Sequence, residues 1–160
     1  MYKLSRYIIT AAILLLGVSI SPVAASSPPL DVKIVATVTF NPDGPNFGSF
    51  VATGAAADAG LICPEGTFVD VSYAFGGEQS DRTLNIHITR MFSCNDGSGE
   101  FYMQDVGQAD LISSTRTSHW VILSGVGAYD KLHGNGNGEE NNINSEQGNI
   151  ATYTGQVLND

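Results

Sequence analysis

Apolar and polar side chains alternate along much of this chain with a period of two residues. The clearest run is residues 82–93, where Leu84, Ile86 and Ile88 share one face and polar side chains occupy the other. Such a period is typical of strands with one buried face. Comparable segments between turn residues predict six further strands, over residues 31–40, 47–57, 67–75, 101–111, 118–124 and 149–158.

No convincing helical period follows residue 25. Turns at short, regular intervals separate the strand segments, as at residues 41–46, 76–81 and 95–98, which are rich in glycine, aspartate and asparagine. The pattern therefore predicts an all-β domain of about eight antiparallel strands, either a sandwich or a barrel.

The first 25 residues have the composition of an export signal. Lys3 and Arg6 precede an apolar run over residues 7–20, and small residues at 23–25 resemble a cleavage site. The alternative is a membrane anchor, but the run is shorter than the roughly 20 residues that a spanning helix needs. We therefore expect a signal peptide at 1–25, a proline-rich linker at 26–30, a barrel or sandwich domain at 31–160, and a secreted or periplasmic location.

The mature chain is strongly acidic. Removing Lys3 and Arg6 changes the formal net charge from −9 to −11. This charge disfavours nucleic acid and anionic membranes as partners. No CxxC spacing is present, and the histidines His87, His119 and His133 are scattered, so we expect no metal site and no cofactor.

Cys63 and Cys94 are the only two cysteines, and an oxidising compartment makes a disulfide between them the expected state. The strand register supports this pairing. If Phe75 pairs with Arg82 across the turn at 76–81, Val71 faces Ile86, Val69 faces Ile88, and Cys63 lies opposite Cys94.

Residues 134–148 are almost devoid of apolar side chains. We expect a mobile polar loop there, since little apolar burial offsets the cost of ordering its backbone. The acidic run Glu139–Glu140 and the segment 95–100 offer oxygen ligands for calcium, although neither has the spacing of a known calcium loop.

Two charged residues interrupt otherwise apolar strand faces. A four-residue turn at 95–98 places Arg90 opposite Met103, which makes Asp105 its diagonal neighbour. Such residues form either a structural ion pair or the polar lining of a pocket. We favour the ion pair. Tyr73 and His119 complete the candidate pocket residues.

The segment SGVGAYDKLHGNG, residues 124–136, resembles the glycine-rich corner G-T-G-x-[FY]-x-x-[AL]-x-G of the allene oxide cyclase-like and dirigent-like barrel superfamily. The matching positions are Gly125, Gly127, Tyr129, Leu132 and Gly134. The resemblance implies an eight-stranded antiparallel barrel, often a homo-oligomer, with a central cavity. A phosphate cradle is the alternative for this corner, but no helix start or Lys-Ser/Thr pair follows it.

Two functions remain open from the sequence. The first is a non-catalytic exported barrel that binds a small apolar ligand or serves a structural or assembly role. The second is a cyclase or isomerase of a lipid-like or polyketide-like substrate, in which Arg90, Asp105 and Tyr73 orient or polarise the substrate. The first is the preferred hypothesis, because no nucleophile or catalytic triad is evident in the chain.

Overall fold

The computed structural model describes residues 28–76, 82–143, 145 and 148–160, and its strands form a closed antiparallel barrel. Each strand pairs with the next in sequence, and β8 closes the barrel against β1. The all-β, eight-stranded prediction is thus confirmed. The strands are β1 (Leu30–Thr39), β2 (Phe47–Thr53), β3 (Glu65–Gly76), β4 (Thr83–Cys94), β5 (Gly99–Asp110), β6 (Thr115–Gly127), β7 (Leu132–Asn141) and β8 (Asn149–Asn159).

The proposed signal peptide, part of the linker and the tip of the β3–β4 turn lie outside the described residues. Within the described ranges, no helix is long and apolar enough to cross a membrane. The predicted strand over 47–57 is too long, because β2 ends at Thr53 and a short helix, α1 (Ala55–Asp58), follows. Alanine is the best helix former, and Ala56 packs its side chain into the core.

One end of the barrel is filled by side chains. Phe92 and Phe101 stack with ring centroids 4.8 Å apart, and Phe50 meets Phe92 edge-on at 5.1 Å. Residues 54–64 add the fully buried Ala56 and Ile62 to the same core cluster. Aromatic pairs of this geometry stabilise a core by more than the burial of their apolar surface alone. This closed end is therefore the main hydrophobic core.

The disulfide between Cys63 and Cys94 is confirmed, with the two Cα atoms 5.9 Å apart. The register from which we predicted it is wrong. Gly66, and not Cys63, pairs with Cys94, and Cys63 precedes the first residue of β3. The bond consequently attaches the segment that contains α1 to strand β4 at the closed end.

The register error in β3 begins at the β3–β4 turn, where Phe75 pairs with Ile86 and not with Arg82, and a β-bulge at Val71 then changes the register by one residue. Before the bulge Asp70 pairs with Arg90, and after it Ser72 pairs with Thr89 and Tyr73 with Ile88, so that Val71 has no partner on β4. The extra residue puts Asp70 and Tyr73 on the same interior face, although an unbroken strand would place them on opposite faces. The expected pairing of Val71 with Ile86 is replaced by Phe75 with Ile86.

The expected mobile loop at 134–148 is wrong for its first half. Residues up to Asn141 form β7, which pairs with both β6 and β8. Glycines 134, 136 and 138 occupy the interior positions of this strand, and the indole of Trp120 lies over Gly136. A Cβ on Gly136 would lie 2.8 Å from the Trp120 ring and 2.1 Å from the Thr154 carbonyl oxygen. The missing side chains thus make room for the largest buried residue.

Gly136→Ala should therefore lower the free energy of unfolding by about 1–3 kcal/mol, the usual range for overpacking a core. Gly76→Ala is the matched control, because its added Cβ would meet only the movable His87 side chain, at 3.0 Å. Chemical denaturation of both variants measures the difference. Equal stability of the two variants would contradict the packing argument.

The glycine-rich corner is the hairpin between β6 and β7. Gly127 has φ of +70°, a left-handed conformation that glycine adopts without strain, and Gly125 has no room for a Cβ against the Tyr129 carbonyl oxygen at 2.0 Å. Tyr129 and Leu132 are buried, and the Tyr129 hydroxyl lies 2.7 Å from Ser98 Oγ. The corner thus anchors a tyrosine in the closed end.

Candidate functional site

The opposite end of the barrel holds a cleft of about 170 Å³. Its walls are mainly apolar, from Ile86, Ile88 and Ala109, which form a second buried cluster with Leu84, Leu111 and Ile143 packed against it. The exposed rings of Phe40 and Phe75 also line it, near its rim. Two larger hollows, of about 530 and 510 Å³, lie on the polar outer surface of the sheet and do not reach the barrel interior. We regard the cleft as the candidate site because it combines apolar walls with buried polar groups.

Beneath the cleft lies a buried charge network. Arg90 Nε donates to Asp70 Oδ1 at 2.7 Å, and Arg116 Nη1 donates to Asp105 Oδ2 at 2.7 Å. Glu140 lies between the two guanidiniums, with Oε1 3.8 Å from Arg90 Nη2 and Oε2 3.3 Å from Arg116 Nη1. All five charged residues are buried.

The Tyr153 hydroxyl links the two halves of this network. It accepts a hydrogen bond from Arg90 Nη1 and donates one to Asp105 Oδ2 at 3.1 Å. Burial raises the pKa of Tyr153 well above its ordinary value, and the Arg90 charge only partly opposes this. The phenol therefore stays protonated, as its role of donor to Asp105 requires.

Arg90 and Asp105 occupy the diagonal positions that the sequence predicts, since Arg90 pairs with Met103 and Ile88 pairs with Asp105. The preferred ion pair between them is nevertheless wrong. Each has a different charged partner, Asp70 for Arg90 and Arg116 for Asp105, and the Tyr153 hydroxyl is hydrogen-bonded to both. Arg90 lines the cleft, whereas Asp105 lies beneath it, with 0% of its surface exposed.

Tyr73 lies at the side of the cleft, where its ring meets Phe75 edge-on at 5.1 Å. Desolvation raises the pKa of Tyr73, and the nearby Arg116 charge opposes that rise in part. Its hydroxyl therefore remains a hydrogen-bond donor at neutral pH. Among the predicted pocket residues, Tyr73 and Arg90 are the two that the structure brings together at the cleft.

His119 is not a cleft residue, contrary to our prediction. It follows the buried Ser118 and precedes the buried Trp120, so its side chain points to the outer surface, where it is exposed. His87 is also exposed, and it lines the same outer hollow as His119. Neither histidine contacts the buried charge network.

Four network residues escaped the sequence reasoning: Asp70, Arg116, Glu140 and Tyr153. Period two does carry a signal for Arg116, which shares its face with Ser118 and Trp120 on β6. It also places Glu140 on the face of the alternating glycines of β7. Asp70 was not detectable in this way, because the bulge at Val71 reverses the alternation of β3.

The network contains two guanidiniums and three carboxylates, so one negative charge is in excess. Burial alone lowers the pKa of Arg90, but the neighbouring carboxylates of Asp70 and Glu140 outweigh this effect, and the pKa lies above its ordinary value. The same balance, with Asp105 as the main partner, raises the pKa of Arg116. Both guanidiniums are therefore permanent cations held by carboxylates.

Calcium binding by Glu139 together with Glu140 is incompatible with β7. The two side chains point to opposite faces of the strand, Glu139 to solvent and Glu140 into the network. Within the described ranges, no group of three or more histidine, cysteine, aspartate or glutamate side chains is arranged to hold a metal ion.

No protein-family model matches this chain, and no curated protein matches it. The cleft and the residues that line it are therefore the features from which a function can be inferred.

Proposed function

We propose that this chain is an exported β-barrel of the allene oxide cyclase-like type that binds a small, mainly apolar molecule in the cleft and catalyses no reaction. The observation that carries the proposal is an apolar-walled cleft above buried polar groups, at the one barrel end that the aromatic core does not fill. Small-molecule sites have this composition, with apolar walls and a few fixed polar groups.

The size of the cleft limits the ligand. Its volume of about 170 Å³ is close to that of an engineered cavity of about 150 Å³ that binds benzene. A single ring or a short branched chain fits inside. A longer molecule would extend past the exposed rings of Phe40 and Phe75 at the rim.

The network argues for binding and against catalysis. A general base must be free to accept a proton from the substrate. Among the residues that the structure describes, Glu140 is the one carboxylate that lines the cleft, and its two oxygens face the guanidiniums of Arg90 and Arg116. Asp70 and Asp105 also face guanidiniums and do not line the cleft. The carboxylates thus serve to hold the arginines in place.

Titration of the mature protein with toluene tests this function. In protein labelled with ¹³C at its methyl groups, we expect saturable shifts at Ile86, Ile88 and Leu111, because these side chains line the cleft. Leu84→Trp should abolish the shifts by filling the cleft. Leu123→Trp is the matched control, since Leu123 lies on the outer surface with 52% of its area exposed.

Thermal unfolding of both tryptophan variants shows whether they are folded. Toluene shifts that persist in folded Leu84→Trp, or that appear only at outward methyl groups such as Leu123, would overturn the proposal. The absence of any saturable shift in the unmodified protein would overturn it as well.

A further inference from the structure

The polar groups that face the cleft differ in their capacity for further hydrogen bonds. Arg116 Nε is buried and has no hydrogen-bond partner among the described residues, although Nη1 and Nη2 of the same side chain do. Tyr73 adds a protonated hydroxyl beside the same residues. A buried donor without a partner destabilises the structure, so a ligand that supplies an acceptor to it binds more favourably.

A carboxylate ligand would not find a comparable site. The guanidiniums of Arg90 and Arg116 are already held by Asp70, Asp105 and Glu140. The network already carries one excess negative charge. A further anion would either increase this excess or displace Glu140 from its cations, and a buried carboxylate without its partner is strongly unfavourable.

A cationic head group on the ligand is also less suitable than a neutral acceptor. Asp70 Oδ2 and Asp105 Oδ1 have no partners among the described residues, but neither residue lines the cleft. Glu140 lines it, and each of its oxygens already faces a guanidinium. A cation would therefore find no free carboxylate among the described residues of the cleft, whereas the buried neutral acceptor without a partner on its lining is Asn149 Oδ1 and the buried donor without one is Arg116 Nε–H.

We propose that the ligand carries an uncharged hydrogen-bond acceptor, a carbonyl oxygen, which is held by Arg116 Nε–H and the Tyr73 hydroxyl while its apolar part lies against Ile86 and Ile88. This inference rests on the proposed binding function. It narrows the ligand to small ketones, esters, amides or quinones, or to larger molecules that present such a group at one end. Carboxylates of the same size are excluded by the charge of the network.

Four probes with one ring each test the inference: acetophenone, toluene, benzoate and benzylamine. They differ in the group on the ring, which is respectively a neutral acceptor, none, an anion and a cation. Dissociation constants come from the methyl shifts of Ile86 and Ile88 at neutral pH. We expect acetophenone to bind at least tenfold more tightly than benzoate or benzylamine, and several-fold more tightly than toluene.

Tyr73→Phe should reduce the preference for acetophenone over toluene several-fold, because it removes one of the two donors. Tyr102→Phe is the matched control, since Tyr102 is a half-buried tyrosine on the outer face of β5 and does not line the cleft. Thermal unfolding confirms that both variants are folded. If folded Tyr73→Phe keeps the full preference for acetophenone over toluene, the Tyr73 hydroxyl does not bind the carbonyl oxygen and this part of the proposal is overturned.

The outcomes separate this inference from the function on which it rests. If none of the four probes shifts the cleft methyl groups, the binding function itself is wrong. If toluene, benzoate or benzylamine binds as tightly as acetophenone, the cleft binds ligands but the carbonyl preference is overturned.

Discussion

Arg116→Met should lower the free energy of unfolding by about 3–5 kcal/mol, the usual effect of removing one partner from a buried ion pair. Arg116 is 2% exposed and holds both Asp105 and Glu140, which the substitution leaves buried without that cation. Methionine keeps much of the side-chain volume of arginine, so the decrease in the free energy of unfolding comes mainly from the lost positive charge. Urea denaturation followed by circular dichroism measures it.

Arg82→Met is the control for Arg116→Met. Arg82 pairs with Asp110 at 3.2 Å, but its side chain is 66% exposed, and solvent-exposed pairs contribute only about 0–1 kcal/mol. Adding Asp105→Leu to Arg116→Met should restore part of the lost stability, because it removes one of the two stranded carboxylates. A small loss in Arg116→Met, similar to that of Arg82→Met, would show that the network does not depend on this cation.

Cys63→Ala/Cys94→Ala should lower the free energy of unfolding by about 3–4 kcal/mol, from the chain-entropy model applied to this loop. The two residues are 31 positions apart in sequence. Alanine replaces both without leaving a buried thiol, and the comparison with the unmodified protein uses the same denaturant titration.

The double alanine variant should also become sensitive to protease within residues 54–64. The disulfide attaches this segment to β4, and without it the segment is held by the packing of Ala56 and Ile62 and by the backbone hydrogen bond from Ala52 to Pro64. Cleavage within the cleft end before this segment would contradict the assigned role of the bond.

Strand positions were predictable from the sequence where apolar and polar residues alternate without interruption. Strand β4 and its pairing with β5 followed from period two and a four-residue turn, so Arg90 was correctly placed opposite Met103. The pairing of β3 was predicted wrongly, because Phe75 was placed opposite Arg82 and in fact pairs with Ile86, and because nothing in the local sequence marks the bulge at Val71. The structure shows Asp70 paired with Arg90 on the neighbouring strand, with their side chains hydrogen-bonded inside the barrel.

Strand β7 was missed because three of its interior positions are glycines, which contribute no apolar side chain to the pattern. Hydrophobic patterning counts the apolar side chains of the strand itself, and here the volume is filled by Trp120 from β6. A run of glycines at every second position, beside a strand with a large aromatic residue, is the signal that would have identified it. Without β7, the ion pair between Glu140 and Arg116 could not be predicted, so the sequence identified only part of the candidate site.

The order of the strands has a consequence for how the barrel forms. Seven of the eight strand pairings join neighbours in sequence, and only the pairing of β1 with β8 brings the two ends of the chain together. Closing that seam carries the largest loop-closure entropy, and the disulfide between Cys63 and Cys94 shortens the loop by only part of its length. Until the seam closes, β1 and β8 are free sheet edges, which pair readily with other chains. The seam is therefore where slow folding and misassembly of this barrel would begin.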